Sequence, residues 1–156
     1  MSTATKLEIT SDTSYEELQA IITAVNRAQA IIEFNLDGSI ITANENFLRT
    51  LGYSLEEIKG KHHRIFCSEE YNLSSEYRAF WEKLRRGEFD AGRYKRIGKG
   101  GKEVWIQANY NPIFDVNGKP YKVVKFATDI SAQVALEEAV TRIGMSFATK
   151  AKDISS

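Results

Sequence analysis

The sequence lacks the features that define several large classes of protein. Its 156 residues include one cysteine, Cys67, which excludes an internal disulfide and a cysteine-only metal cluster. No apolar run approaches the roughly 18 residues that a membrane-spanning helix needs. Lys and Arg total 21 against 21 Asp and Glu, so charge alone does not favour nucleic-acid binding. Together with an N-terminus that has no signal-peptide pattern, these absences predict a cytoplasmic protein.

Motifs of the common catalytic sites are also missing. We find no G-x-S-x-G, no phosphate-binding loop and no zinc-ligand spacing. The carboxylates are scattered over predicted surface helices, so we expect no enzyme activity. What the chain does have is 42% apolar and 11% aromatic residues, enough for a folded core or a lined pocket.

The N-terminal part predicts a tail followed by one helix. Residues 1–12 are small and polar, and we expect them to be disordered. A capping box, Thr13-x-x-Glu16, predicts an amphipathic helix over residues 13–29. Its apolar stripe consists of Leu18, Ile22 and Val25.

The central part, residues 30–130, predicts an α+β domain with a five-stranded antiparallel sheet. A hairpin turn at Asp37-Gly38 joins the first two strands. Asn44 is expected to cap a short helix that ends at Gly52, and a capping box at 54–57 begins another. An irregular segment, a longer helix and three strands follow at residues 61–73, 74–86, 89–97, 103–114 and 121–128.

The C-terminal part, residues 131–156, predicts a long helix with an apolar seam. The seam follows a heptad spacing but covers too few turns to be stable alone. We therefore expect a coiled coil that pairs with a second chain, so that the protein is a homodimer through its flanking helices. The seam residues are Leu136, Val140, Ile143, Phe147 and Ile154.

The central part resembles a PAS domain. The resemblance rests on Asp37-Gly38, on Asn44-x-x-Phe47 followed by Gly52-Tyr53, and on Asp115-x-Asn117-Gly118 leading to Asp129-Ile130. The segments GKHHRIFC and WIQANYNPI are similar to PAS domains of bacterial methyl-accepting chemotaxis proteins, of the soluble or aerotaxis type. The C-terminal RIGMSFATKAKDISS resembles the lead into a chemoreceptor signalling domain.

The resemblance implies a sensory module. Such a module would detect redox or gas state through a pocket-bound cofactor and pass a conformational change to the C-terminal coiled coil. FAD is the cofactor implied first, with haem b and no cofactor as the alternatives. A cofactor-free dimerisation module, and the PAS sensor of a histidine kinase or a cyclic-nucleotide enzyme, are the alternative functions.

Two histidines, His62 and His63, are the first candidate site residues. A structural interpretation makes them loop imidazoles, one exposed and one capping a carbonyl. The resemblance instead puts His63 where flavin-binding photosensors carry their reactive cysteine, which excludes a cysteinyl-flavin adduct there. An imidazole at that place could hydrogen-bond a flavin, or ligate iron if haem is bound.

Other candidate residues are aromatic or carry amides. Aerotaxis-type domains have a Trp at the place of Trp81. Period-two alternation puts Trp105 on a polar sheet face and the residues on either side of it on an apolar face, so packing against a flanking helix is its alternative role. Cys67 is expected to be buried. The polar residues available to a bound ring are Asn44, Asn46, Tyr94, Asn109 and Asn111, of which Asn44 is better explained as a helix cap.

Overall fold

Five antiparallel strands form the centre of the structure, a computed structural model that describes Thr10 and residues 13–154, with side chains up to Met145. The spatial order is β2-β1-β5-β4-β3, so β2 and β3 are the edges. The predicted α+β fold with a five-stranded antiparallel sheet is confirmed. The strands are β1 (Ala30–Asn35), β2 (Ile40–Ala43), β3 (Asp90–Ile97), β4 (Glu103–Phe114) and β5 (Pro120–Asp129).

Short helices between β2 and β3 cover one face of the sheet. The expected start signals are present: the Asn44 side chain accepts from the N–H of Phe47 at 3.0 Å, and Ser54 and Glu57 form a capping box. Gly52 ends the first helix with φ +81°, as a residue without Cβ allows. The helices are α2 (Glu45–Leu51), α3 (Leu55–Ile58), α4 (Glu69–Asn72) and α5 (Ser75–Arg85), with a 3₁₀ turn at His63–Phe66.

The sequence predicted an irregular segment at residues 61–73, and this prediction is wrong. The segment contains the 3₁₀ turn and α4, each four residues long. Ser68 caps α4 by accepting from the N–H of Tyr71 at 3.2 Å. Single turns of helix are too short to show an apolar period, which is why the pattern did not predict them.

The two faces of β4 differ as the alternation predicts. Val104, Ile106 and Tyr110 point toward the helices and are at most 1% exposed. Trp105 and its neighbours at alternate positions lie on the outer face. The core therefore sits between the inner face of the sheet and the short helices.

Two longer helices flank this unit. The first, α1 (Tyr15–Ala28), is capped by Ser14 and not by Thr13, so the predicted capping box is one residue out of register. The last, α6 (Ser131–Ile154), follows β5 directly. No described helix is long and apolar enough to cross a membrane. The predicted tail lies outside the described residues except for Thr10, as do the side chains of Phe147 and Ile154.

Candidate functional site

A group of polar side chains lies inside the core, between β3–β5 and the helices. Its centre is His63, whose exposed fraction is 0%. A buried histidine with buried charges around it marks a candidate functional site because such groups are otherwise excluded from cores. We call this group the His63 cluster; its members are His63, Cys67, Tyr77, Arg96, Tyr110 and Lys125.

The backbone beside the first hairpin holds His63 in place. Its N–H donates to the carbonyl of Gly38 at 2.9 Å, and His62 forms a single bridge with Ser39. Gly38 has φ +89°, and a Cβ there would lie 2.4 Å from Nε2 of His62. A glycine in the turn therefore allows the histidine segment to pack directly against the hairpin.

His62 is a structural residue at the rim of the cluster. Its Nδ1 accepts from the N–H of Arg64 at 3.0 Å, so the ring proton lies on Nε2 and is donated to the carbonyl of Asp37 at 2.8 Å. Partial burial lowers the pKa of His62, and the nearby Arg64 charge lowers it further. His62 is therefore an imidazole that binds a backbone carbonyl, as the structural interpretation of the two histidines predicted for one of them.

His63 connects two tyrosines. Nδ1 lies 2.9 Å from the hydroxyl of Tyr77, and Nε2 lies 3.0 Å from the hydroxyl of Tyr110. Arg96 Nη2 donates to the Tyr110 oxygen at 3.0 Å, which leaves the Tyr110 proton for Nε2 of His63. The Nδ1 proton then faces Tyr77 and the sulfur of Cys67, 3.7 Å away.

Burial dominates the electrostatics of the cluster. It lowers the pKa of His63 well below the usual value, and the charges of Arg96 and Lys125 act in the same direction. Burial likewise lowers the pKa of Lys125 and raises the pKa of Tyr110 to about 12. At neutral pH, His63 and Tyr110 are therefore neutral donors and acceptors.

Two of the predicted site residues join the cluster. The Trp81 ring packs edge-on against His63 with centroids 5.4 Å apart, and it lies 6.1 Å from His62. Tyr94 packs against Tyr110 at 5.4 Å and donates its hydroxyl to Asp90. The structure thus brings together the histidines, Trp81 and Tyr94.

Asn46 and Asn109 are not brought together with them. The amide of Asn46 donates to the carbonyls of Arg27 and Gln29 at 3.0 and 3.1 Å and ties the end of α1 to α2. Asn109 is exposed on the outer face, where it accepts from Asn111 at 2.7 Å. Both amides therefore face away from the core.

Tyr77, Arg96, Tyr110 and Lys125 are cluster members that were not among the predicted site residues. Strand register could have found the three that lie on strands. Arg96 is the cross-strand partner of Val104, and Lys125 is the partner of Tyr110, so both cations share the face of the apolar β4 positions. The hairpin turns set this register, but alternation within β3 or β5 alone does not reveal it.

Haem does not fit the cluster as it is arranged. Iron ligation needs an imidazole nitrogen that faces open space, and both nitrogens of His63 have hydroxyl partners. Aromatic rings also surround the imidazole, with centroid distances between 5.3 and 6.2 Å. These rings belong to Phe34, Phe66, Tyr77, Phe80, Trp81 and Tyr110.

A flavin does not fit this arrangement either. The amides expected to read its ring edge lie outside the core, and the inward positions of β4 and β5 carry no side-chain amide. His63 and its aromatic neighbours fill the core beside the 3₁₀ turn. The residues at the inward positions of β4 and β5 are Val104, Ile106, Ala108, Tyr110, Pro112, Val123, Lys125 and Ala127.

Comparison with known sequences places the fold in a family. A family profile described as the PAS fold matches residues 40–127, more than half of the chain. The chain belongs to the PAS family. A solved PAS domain from Colwellia psychrerythraea superposes with a TM-score of 0.64 at 22% identity, covering 74% of this chain and 98% of that one. At that identity the likeness shows the fold alone.

Two curated relatives agree with the expected kind of PAS domain. The biofilm dispersion protein BdlA of Pseudomonas aeruginosa is 43% identical over 123 residues, which are 79% of this chain and 30% of the relative. The aerotaxis receptor of Escherichia coli is 29% identical over 79 residues, which are 51% of this chain and 15% of the receptor. The chain therefore spans less than a third of either relative.

Proposed function

We propose that this PAS domain is the sensory module of a chemotaxis-type transducer, in which the His63 cluster detects the stimulus and α6 carries the response. The relatives support the sensory role. The proposal includes the expected partners, a second copy of the chain and a downstream chemoreceptor signalling domain. It includes no catalytic step.

One observation carries the proposal: the cluster and α6 are attached to the same two strands. Tyr110 and Lys125 lie opposite each other on β4 and β5. Further along β4, the backbone of Trp105 binds the start of α6 in two ways. Its carbonyl accepts from the N–H of Ile130 at 2.8 Å, and the N–H of Trp105 donates to the hydroxyl of Ser131 at 3.0 Å. Five residues of strand, about 17 Å, thus separate the cluster from the start of α6.

An ion pair adds a second attachment of α6. Arg93 on β3 forms two hydrogen bonds with the carboxylate of Glu137, at 2.9 and 3.3 Å. Because β3 also carries Arg96, a shift of this edge strand would move both the ion pair with α6 and the Arg96 side chain in the His63 cluster. A rigid strand connection of this kind can bias the position of a packed helix.

An absorbance spectrum from 300 to 700 nm, before and after dithionite, tests the cofactor. The sequence predicted a redox or gas stimulus read through FAD or haem b. Because neither group fits the cluster as arranged, we assign detection to the cluster itself and expect a flat spectrum. Flavin bands that bleach on reduction, or a Soret band lost in His63→Ala, would instead establish the sequence-based alternative.

Hydrogen exchange of the whole chain tests the connection to α6. Tyr110→Phe removes the hydroxyl between His63 and Arg96, and we expect faster amide exchange in residues 130–137 as well as near the cluster. Tyr121→Phe is the matched control, because Tyr121 is 51% exposed and lies outside the cluster. A change confined to the cluster in Tyr110→Phe would contradict the proposed route.

Dimerisation is a second candidate function, favoured by the apolar seam of α6. Leu136, Val140 and Ile143 are 65%, 60% and 56% exposed in the single chain. Apolar side chains at this spacing are typical of a helix that pairs with another. A dimerisation module needs no ligand, so it agrees with the filled core.

Substitution of the seam tests this second function. Leu136→Asp combined with Ile143→Asp should convert a dimer to a monomer with the sheet still folded, as measured by light scattering and circular dichroism. The matched control, Ala135→Asp combined with Arg142→Asp, places two aspartates elsewhere on the same helix. If the seam variant stays dimeric, the coiled-coil interface is wrong.

A further inference from the structure

The His63 cluster contains two buried basic side chains and no carboxylate among the described residues. Arg96 and Lys125 are 3% and 1% exposed. Within the described residues, no carboxylate lies within ion-pair distance of either side chain. Buried charges are normally paired because desolvation is costly. The cluster is therefore electrostatically incomplete.

One nitrogen of the Arg96 guanidinium has no hydrogen-bond partner among the described residues. Nη2 donates to Tyr110 at 3.0 Å, and Nη1 donates to the carbonyl of Lys95 at 3.1 Å. Nε is buried and has no hydrogen-bond partner among the described residues. Such a donor is costly to bury unless a ligand or water accepts from it.

A cavity beside the edge strand has Arg96 in its lining. Its volume is about 370 Å³, which is in the range of small-molecule sites. Three basic residues line it: Arg93 pairs with Glu137 and Lys95 with Glu103, so Arg96 is the one of the three without a carboxylate partner among the described residues. We call it the Arg96 cleft; it is lined by Ser68 and Tyr71 at α4, by Tyr94 and Arg96 with their neighbours Arg93 and Lys95 on β3, and by Trp105.

We infer that the Arg96 cleft binds a small organic anion through its carboxylate or phosphate group. The planar guanidinium offers Nε beside Nη2, a fork that matches two oxygens of such a group. The rings of Tyr94 and Tyr71, whose centroids lie 4.8 and 5.8 Å from the guanidinium carbon, provide a wall for the organic part. This inference rests on the proposed sensory function and names the class of its ligand.

Binding at Arg96 would reach the rest of the cluster through Tyr110. An anion that recruits Nη2 weakens its hydrogen bond to the Tyr110 oxygen, which frees that oxygen to accept elsewhere. Tyr110 in turn holds Nε2 of His63 and packs its ring 4.7 Å from the ammonium of Lys125. The ligand site is thus connected to the strands that lead to α6.

The alternative is that aromatic faces alone stabilise both cations. Arg96 lies over Tyr94, and Lys125 lies over Tyr110 and Phe47. Cation–π contacts are favourable when desolvated. They leave Nε of Arg96 without an acceptor, however, and a carboxylate or phosphate would satisfy it.

Titration of the whole chain with defined anions tests the inference. Sodium acetate and sodium pyruvate form the carboxylate arm, and inorganic phosphate forms the other, each against sodium chloride at equal ionic strength. We expect a saturable rise of the thermal midpoint and a calorimetric binding signal in one arm. Absence of saturable binding in both arms would overturn the inference.

Variants locate the site. Arg96→Met should weaken binding at least tenfold. Arg96→Lys keeps the charge but loses the fork, so it should also weaken binding, and it serves as the test if Arg96→Met does not fold. Arg78→Met is the matched control because Arg78 is an exposed residue of α5 outside the cleft. Equal binding by the wild type and both Arg96 variants, or loss of binding only in Arg78→Met, would overturn the assignment.

Failure of this inference and failure of the proposed function give different results. If no anion binds but Tyr110→Phe changes exchange in α6, the sensory route stands and the ligand class is wrong. If an anion binds at Arg96 but exchange in α6 is the same with and without it, the site stands and the sensory route fails.

Discussion

The inner face of the sheet has two halves of different chemistry. On β1 and β2, its residues are apolar and almost fully buried, as Ile32, Phe34 and Ile40 show. On β3, β4 and β5, the same face carries Arg96, Tyr110 and Lys125. Apolar burial stabilises a fold, whereas buried charge and hydroxyl groups cost stability unless they are satisfied. The first half therefore contributes apolar burial alone, whereas the second half combines apolar burial with buried polar groups.

The largest expected effect comes from breaking the apolar half. Ile32→Ala removes a side chain that is 0% exposed and should lower the free energy of unfolding by about 2–5 kcal/mol, through lost burial and a cavity. Urea denaturation measures it. Ile31→Ala, its neighbour on the outer face, should cost clearly less; equal losses would show that the outer face carries as much of the stability.

The second largest effect is expected from acid, which should lower the free energy of unfolding through His63 in the polar half. The folded-state pKa of His63 is lowered, so its contribution is present above the unfolded value of about 6.5 and is lost as pH falls below it. We therefore expect the wild type to lose stability as the pH falls from 7 to 5. Urea denaturation of His63→Gln across this range should show a shallower decline, and an unchanged slope would exclude His63 as the cause.

Removal of a buried cation should stabilise the protein. Lys125→Met keeps the bulk and removes the desolvation penalty, so the free energy of unfolding should rise by about 1 kcal/mol without added anion. The lowered pKa of Lys125 means that the wild type loses stability as pH falls from about 10.4, so the advantage of the variant should grow in that direction. Lys122→Met, whose side chain pairs with Glu33 on the outer face, is the control and should show no gain.

The smallest expected effect concerns the attachment of α6. Glu137→Gln removes the ion pair with Arg93 and should speed amide exchange near residue 137 without changing the urea midpoint, because both groups are exposed. Glu138→Gln is the adjacent control. A large shift of the midpoint in Glu137→Gln would mean that α6 is part of the core and does not act as a separate reporter.

Local chemistry made much of the fold predictable. Asn44, Gly52 and the Ser54–Glu57 pair act where the sequence placed them, because caps and glycine turns depend on a few neighbouring residues. The long strand Glu103–Phe114 was also predicted within its observed bounds. Single turns such as α4 escaped, since four residues show no period.

The candidate site was predictable only in part. His63 packs against Trp81 and is connected to Tyr94 through Tyr110, but Asn46 and Asn109 face away from them. An amide in a sequence does not reveal its direction when it lies beside a helix start or on a strand with two partners. The roles of the site residues toward a ligand stay predictions.

The amino-acid sequence by itself determined the order of the elements, the caps that begin and end them, and which face of β4 is apolar, because these depend on neighbours along the chain. Only the tertiary structure decided that Arg96 and Lys125 lie beside His63. Residues 63, 96, 110 and 125 are far apart in sequence, and hairpin register, strand order and helix packing together bring them to one place. Their burial without a carboxylate follows from that packing and from no local pattern.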